Sequence, residues 1–95
     1  MLASGRDDAM LRFGLGSAYY NEGKAEEAAI HLQACIEHDA GYSAAYKLLG
    51  RSLMQSGNNE EARTVFESGL PIAIQKGDKQ TEKEINTFLK KLNRS

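Results

Sequence analysis

One cysteine, one proline and no tryptophan occur in these 95 residues. A single thiol, Cys35, excludes an internal disulfide, so no covalent staple supports the core, and a reducing compartment suits it. No segment approaches the roughly 18 uninterrupted apolar residues of a membrane-spanning helix. The opening MLASGRDDAMLRFG puts charges where a secretory leader needs an apolar stretch. The expectation is a cytoplasmic protein with no membrane partner. An excess of charge of either sign is missing too: 12 Lys and Arg stand against 13 Asp and Glu. A nucleic-acid surface needs a Lys/Arg stripe interleaved with aromatic platforms, which this balance does not supply, so no nucleic-acid partner is expected. Gly-rich phosphate loops, paired catalytic acids and HExxH are also lacking, which points to a non-enzyme without a cofactor.

The residues that are present describe a soluble globular chain: 41% are apolar and 26% charged. One domain over 1–95 is expected, since so short a chain cannot build two cores. The near-neutral total hides a polarity. Residues 1–42 carry 3 basic against 7 acidic side chains, a balance of −4, and residues 43–95 carry 9 against 6, a balance of +3.

The chain writes one phrase twice. NEGKAEEA runs from Asn21 to Ala28 and QSGNNEEA from Gln55 to Ala62, so Gly23 and Gly57, like Ala28 and Ala62, are 34 residues apart. Leu15 and Leu49, and Gly16 and Gly50, keep the same interval. Apolar periodicity makes every segment helical. Leu11, Leu15, Ala18 and Tyr19 form a 3.6-residue stripe in a first helix over Asp7–Glu22, with Ser4 and Asp7 spaced as a capping box. Ala28, Leu32, Cys35 and Ile36 mark a second over Ala25–Asp39, and Ala45, Leu48, Leu49 and Leu53 a third over Tyr42–Ser56. Asn58, with Glu61 in the reciprocal position, is expected to cap a fourth helix ending near Lys76. A fifth follows Gly77, capped by Asp78, with Ile85, Phe88, Leu89 and Leu92 on one face and Glu82, Lys83, Lys90 and Lys91 turned to solvent. Burial of Phe88 predicts a loss of roughly 3 kcal/mol or more on Phe88→Ala. Pro71, inside the fourth helix, removes a donor and crowds the Glu67 carbonyl, which predicts a kink or break over 67–71.

Leu15-Gly16-x-x-Tyr19 followed by Ala28 and Leu32, and Tyr46-x-x-Leu49-Gly50-x-x-Leu53 followed by Ala62 and Phe66, resemble the tetratricopeptide repeat, whose period is 34 residues. Repeats over about 9–42 and 43–76 and a capping helix over about 78–93 include nearly the whole chain. Arg12 stands where that family prefers a large aromatic, Ala40 and Ile74 replace its terminal proline, and Gly69 replaces an alanine. The resemblance implies an all-α fold: a superhelical solenoid of antiparallel helix hairpins, five helices in all. It also implies a concave groove, lined by the first helix of each repeat, that holds a peptide or protein segment. The groove positions would be Met10, Phe13, Ser17, Tyr20 and Asn21 in the first repeat, and Ala44, Lys47, Arg51, Met54 and Gln55 in the second. Lys47 and Arg51 are one turn apart and suited to a carboxylate, while the Met and aromatic side chains offer adaptable apolar contact. The family's clamp for chaperone C-termini would need Lys at Phe13 and Asn at Ser17, so that partner is not expected.

Two further features are weighed against this reading. His31, Cys35 and His38 fall at i, i+4 and i+7, a stripe of three metal-ligand types, yet Cys35 occupies a small buried repeat position and both histidines occupy packing positions, so no metal is expected. Two repeats also leave the first hairpin's edge uncovered, and the acidic half of one copy could meet the basic half of another, so a homodimer is the alternative function.

Overall fold

Three glycines turn the chain. Gly23, Gly57 and Gly77 take positive φ angles of 80°, 86° and 73°, a region that costs any other residue a steric clash. Each closes a helix in the same way: the amides of Lys24, Asn58 and Asp78 reach back five residues to the carbonyls of Tyr19, Leu53 and Ala73 at 2.8–2.9 Å. The computed structural model describes residues 7–94. Its helices are α1 (Ala9–Asn21), α2 (Ala25–His38), α3 (Ser43–Gln55), α4 (Asn59–Lys76) and α5 (Lys79–Arg94), and no strand occurs among the described residues. The fold is an all-α solenoid of helix hairpins.

Small residues bring paired helices together. A Cβ built on Gly16 would lie 2.5 Å from Cγ of Leu32, and one on Gly50 would lie 2.2 Å from Cε1 of Phe66. Gly69, where the resembled family carries alanine, has the same cause: its Cβ would meet Cβ of Tyr46 at 2.4 Å. Tyr46 is buried there, with its hydroxyl donating to the Ala40 carbonyl at 2.6 Å. The core between the layers is built from Ala28, Leu32, Cys35, Ala45, Leu49, Leu53, Ala62, Phe66, Ile85 and Leu92.

α3 is the central element, lying against α1, α2, α4 and α5, whereas α2 and α4 do not approach one another. Helices α1 and α5 each touch α3 on one side without touching one another, and α2 and α4 lie apart on the other. That difference gives the stack an inner and an outer face.

Several details depart from what the residues alone suggest. Asp8, not a Ser4/Asp7 pair, caps α1, accepting from the Leu11 amide at 2.9 Å; Ser4 lies outside the described residues. Asn58 holds the N-cap position of α4, but its side chain makes no capping bond, because a φ of −97° and ψ of 64° take it out of the extended geometry that capping favours. α4 runs unbroken from Asn59 to Lys76 with Pro71 inside and exposed, so the proline does not break the helix. Phe88 is half-buried; the fully buried aromatic is Phe66, and the two rings stack at 5.3 Å. The cost of Phe88→Ala is accordingly revised to about 1–2 kcal/mol.

The Asp78 expectation holds. Asp78 accepts from the Thr81 amide at 3.2 Å, and from the Ser43 hydroxyl at 2.7 Å, which ties the start of α5 to the start of α3. These bonds, Ser43's first, lower its pKa from the ordinary value of 3.8. A depressed carboxyl stabilises the fold at pH values above about 4 and loses that contribution as pH falls through its folded pKa. Asp78→Ala is expected to cost about 1–2 kcal/mol at pH 7. The gap in melting temperature between wild type and variant should narrow at pH 3, and an equal gap at both pH values would show that the carboxylate charge is not what holds the cap.

Candidate functional site: the inner face of α1, α3 and α5

The inner face is joined by one cation. The guanidinium of Arg51 on α3 lies 5.3 Å from the centre of the Tyr20 ring on α1 and 5.4 Å from that of Phe88 on α5. Three helices thus meet at one side chain. A guanidinium stacked on aromatic faces keeps its N–H edge open, because stacking uses the plane and hydrogen bonding uses the rim. The ammonium of Lys91 lies 5.8 Å from the same Phe88 ring.

Lys47, one turn before Arg51, is engaged within the protein. Its Nζ is 2.8 Å from Oε1 of Glu84 on α5. The bond to Lys47 is the main cause of the lowered Glu84 pKa. Lys47 and Arg51 therefore do not form the twin grip that their spacing suggests: Lys47 fastens α5, and Arg51 faces the aromatic rings.

The remaining expected groove residues divide by exposure. Met10 is 76% exposed, and Asn21 and Gln55 are exposed. Phe13 is half-buried and stacks on Tyr42 with ring centres 5.0 Å apart. Ser17, Tyr20, Ala44 and Met54 are half-buried, with Tyr20 and Met54 packed against the core. Of the repeat positions, Gly16, Ala28, Leu32, Leu49, Gly50, Leu53, Ala62 and Phe66 are buried, whereas Leu15 and Tyr19 are only half-buried. Leu15 differs from its counterpart Leu49, 2% exposed, because no hairpin precedes α1 among the described residues to cover it.

Glu84, Phe88 and Lys91 were not expected on this face. Their spacing of four and then three residues places them on one stripe of α5, a signal visible in the sequence. The 34-residue interval could not assign them, because α4 is longer than α2 and the start of α5 lies 36 residues after that of α3.

His31, Cys35 and His38 do not converge. Nδ1 of His31 lies 3.2 Å from a guanidinium nitrogen of Arg12, and its ring stacks on Tyr19 at 5.3 Å. Nε2 of His38 is 3.3 Å from Asp7, whose carboxyl is held down at about 2, chiefly by its bonds to Arg12. Cys35 is buried, which pushes its thiol up to about 11 and away from the reactive thiolate. No group of three His, Cys, Asp or Glu side chains among the described residues is arranged to hold a metal ion. On the outer face, a shallow pocket of about 450 Å³ separates α2 from α4, with Ile30 and Glu37 on one wall, Glu61 on the other and Leu49 and Leu53 among its lining. No helix among the described residues is long and apolar enough to cross a membrane.

A family model for the tetratricopeptide repeat matches residues 19–75, more than half of the chain. The chain belongs to the tetratricopeptide repeat family. A TPR repeat-containing protein of Pseudomonas aeruginosa is 53% identical over 95 residues, covering 100% of this chain and 90% of its own length. The solution structure of a Bordetella parapertussis protein matches with a TM-score of 0.84 at 42% identity, over 99% of this chain and 82% of that one. A tetratricopeptide repeat domain protein of Salinibacter ruber shares the fold, with a TM-score of 0.83 at 20% identity over 92% and 97% of the two chains. Tetratricopeptide repeats are in general protein-interaction scaffolds rather than enzymes, and in this TPR chain Arg51 lies beside Tyr20 of α1 and Phe88 of α5.

Proposed function

We propose that residues 1–95 form one non-enzymatic, cytoplasmic interaction module that holds a peptide or protein segment on the inner face. The two repeats, over about 9–42 and 43–76, supply the walls, and the helix over about 78–93 closes the end. The observation that carries this reading is the Tyr20–Arg51–Phe88 cluster, in which one cation lies near aromatic rings of both neighbouring helices and so links α1, α3 and α5. The exposed thioether of Met10 adds adaptable apolar surface on the same helix as Tyr20.

A pull-down with the wild-type chain, Met10→Asp/Arg51→Glu and Ile30→Asp tests it. Ile30 is 65% exposed on the outer face and serves as the control. A partner kept by wild type and Ile30→Asp but lost by the inner-face variant, with unchanged helicity in all three, is the expected result. Loss on Ile30→Asp alone would place the partner outside and contradict the proposal.

The alternative reading, self-assembly through the uncovered first hairpin, draws support from one comparison. Leu15 is half-buried and Ala18 exposed, whereas Leu49 and Ser52, one repeat later, are 2% and 0% exposed. Sedimentation in low salt separates the readings: a dimer lost on Leu15→Asp favours assembly, and a monomer at high micromolar concentration rules against it.

A further inference from the structure

We infer that the shallow pocket between α2 and α4 is a second docking site, taking an apolar side chain of a partner protein from a segment that also carries Lys or Arg beside it. The pocket lies on the outer face, apart from the inner-face reading above, and does not depend on it. It measures about 450 Å³, inside the range of roughly 300–1,000 Å³ in which proteins hold ligand groups. It exists because α2 and α4 do not approach one another, so that Leu49 and Leu53 of α3 form a floor between them. These two are core residues, 2% and 6% exposed. Ala29 and Ala34 on the α2 wall are too short to fill the gap, and Ile30 beside them is 65% exposed. A lone exposed Ile is ordinary, but this one stands on the rim of a cleft that reaches the core.

The rim sets the charge of the occupant. Glu37 stands on the α2 wall and Glu61 on the α4 wall. α2 carries Glu26, Glu27 and Glu37 and has no Lys or Arg along its length. Arg12 is the one Lys or Arg in the lining and acts on Glu37, but its guanidinium is already engaged. Nε and Nη2 donate to the two oxygens of Asp7 at 2.7 and 3.0 Å, and Nη1 lies 3.2 Å from Nδ1 of His31. Arg63, two residues after Glu61, pairs with Glu60 and turns to α5, donating to the Leu92 carbonyl at 3.0 Å. Glu37 accepts from Gln33 at 3.5 Å, and Glu61 has no hydrogen bond or ion pair with another described residue. With Arg12 balanced by Asp7, the two glutamates leave the lining negative. A Lys or Arg suits that rim because its head meets the carboxylates while its stem lies along Ile30. An acidic segment would be repelled there, and a neutral one would gain only the floor.

Three pools of octapeptides, capped at both ends, test the inference against the isotopically labelled full-length chain. The first has a fixed central Lys-Leu-Lys with Gly, Ser and Ala randomised around it, the second acetylates both lysines, and the third replaces Leu by Ala. The first pool is expected to shift the amide resonances of Ile30, Ala34, Leu49 and Leu53 and to leave those of Tyr20 and Arg51 in place. It should bind about threefold more tightly than the second, the scale of ion pairs at an exposed rim, and about tenfold more tightly than the third, which loses apolar burial. Raised salt should remove the first difference and keep the second. Glu61→Gln, at an exposed position, should narrow the first difference, and Ile30→Ser should weaken the first two pools alike. Equal binding of the first two pools overturns the cationic partner, and equal binding of the first and third overturns the apolar seat. Shifts confined to Tyr20 and Arg51, or no binding by the first pool, overturn the site as a whole. Shifts of the same pocket amides when the chain alone is concentrated would put a second copy in the pocket and overturn the separate partner. None of these failures counts against the inner-face reading, which the pull-down above tests with its own variant.

Discussion

Phe66→Ala is expected to lower the melting temperature by roughly 15 °C or more. Phe66 is 0% exposed and lies at the meeting of three helices: it sits on α4, closes against the Gly50 backbone of α3 and stacks on Phe88 of α5. Truncating a buried Phe costs about 3–5 kcal/mol, because the transfer energy is lost and a cavity remains. A chain of 95 residues has about 5–14 kcal/mol in all, and for a domain of this size each kcal/mol is worth about 4–8 °C. Phe88→Ala, removing a half-buried ring, should cost less than half as much. Thermal unfolding followed by circular dichroism compares the two, and equal losses would mean that the closing helix, not the hairpin interface, carries the core.

Two glycine-to-alanine changes are expected to move stability in opposite directions. Both Gly14 and Gly50 lie in helix interiors, where alanine is intrinsically better by about 0.5–1 kcal/mol. Around Gly14 nothing lies within 4 Å of the added methyl, so Gly14→Ala should gain that amount. At Gly50 the methyl would fall 2.2–2.7 Å from three atoms of the Phe66 ring, a fully buried group with no room to yield. Overpacking of this kind costs about 1–3 kcal/mol, and with so short an approach the upper end applies, so that after the helix gain Gly50→Ala should lose about 2 kcal/mol net. Urea unfolding of the two variants checks the signs. A stabilised Gly50→Ala would show that the α3–α4 spacing is looser than the structure has it.

Helix order was legible because it depends on local features that repeat. Apolar positions at helical spacing, three turn glycines and the 34-residue interval place all five helices to within a few residues. Asp78 was legible for the same reason, standing directly after a glycine and three residues before an amide it can reach. What was not legible depended on how segments meet. Ser4 and Asp7 have capping spacing, but Asp8 is the residue whose extended backbone aims its carboxylate at the Leu11 amide. Asn58 is the right residue type in the wrong conformation. Pro71 carries a local signal for a break, yet packing on both sides keeps α4 continuous: Gly69 is pressed on Tyr46, and Ala73 is fully buried.

The candidate site was half legible. The expected list contains Tyr20 and Arg51, which the structure brings into contact, and Lys47, which it diverts to Glu84. Phe88 and Lys91 were missed because the extra length of α4 shifts α5 out of the repeat interval, so a residue's place in the period no longer tells which way it faces. The charge difference between the chain's halves was visible in sequence, but only the geometry shows that Glu84 of α5 takes up the charge of Lys47 and also acts on Arg51.

Hydrogen exchange of the full chain, with and without its captured partner, tests most directly the claim that the partner lies where α1, α3 and α5 meet. Slowed exchange should fall on the amides of α1, α3 and α5 around Tyr20, Arg51 and Phe88, with α2 and the outer side of α4 unchanged. Slowed exchange confined to α2 and α4, around Ile30 and Glu61, would contradict it.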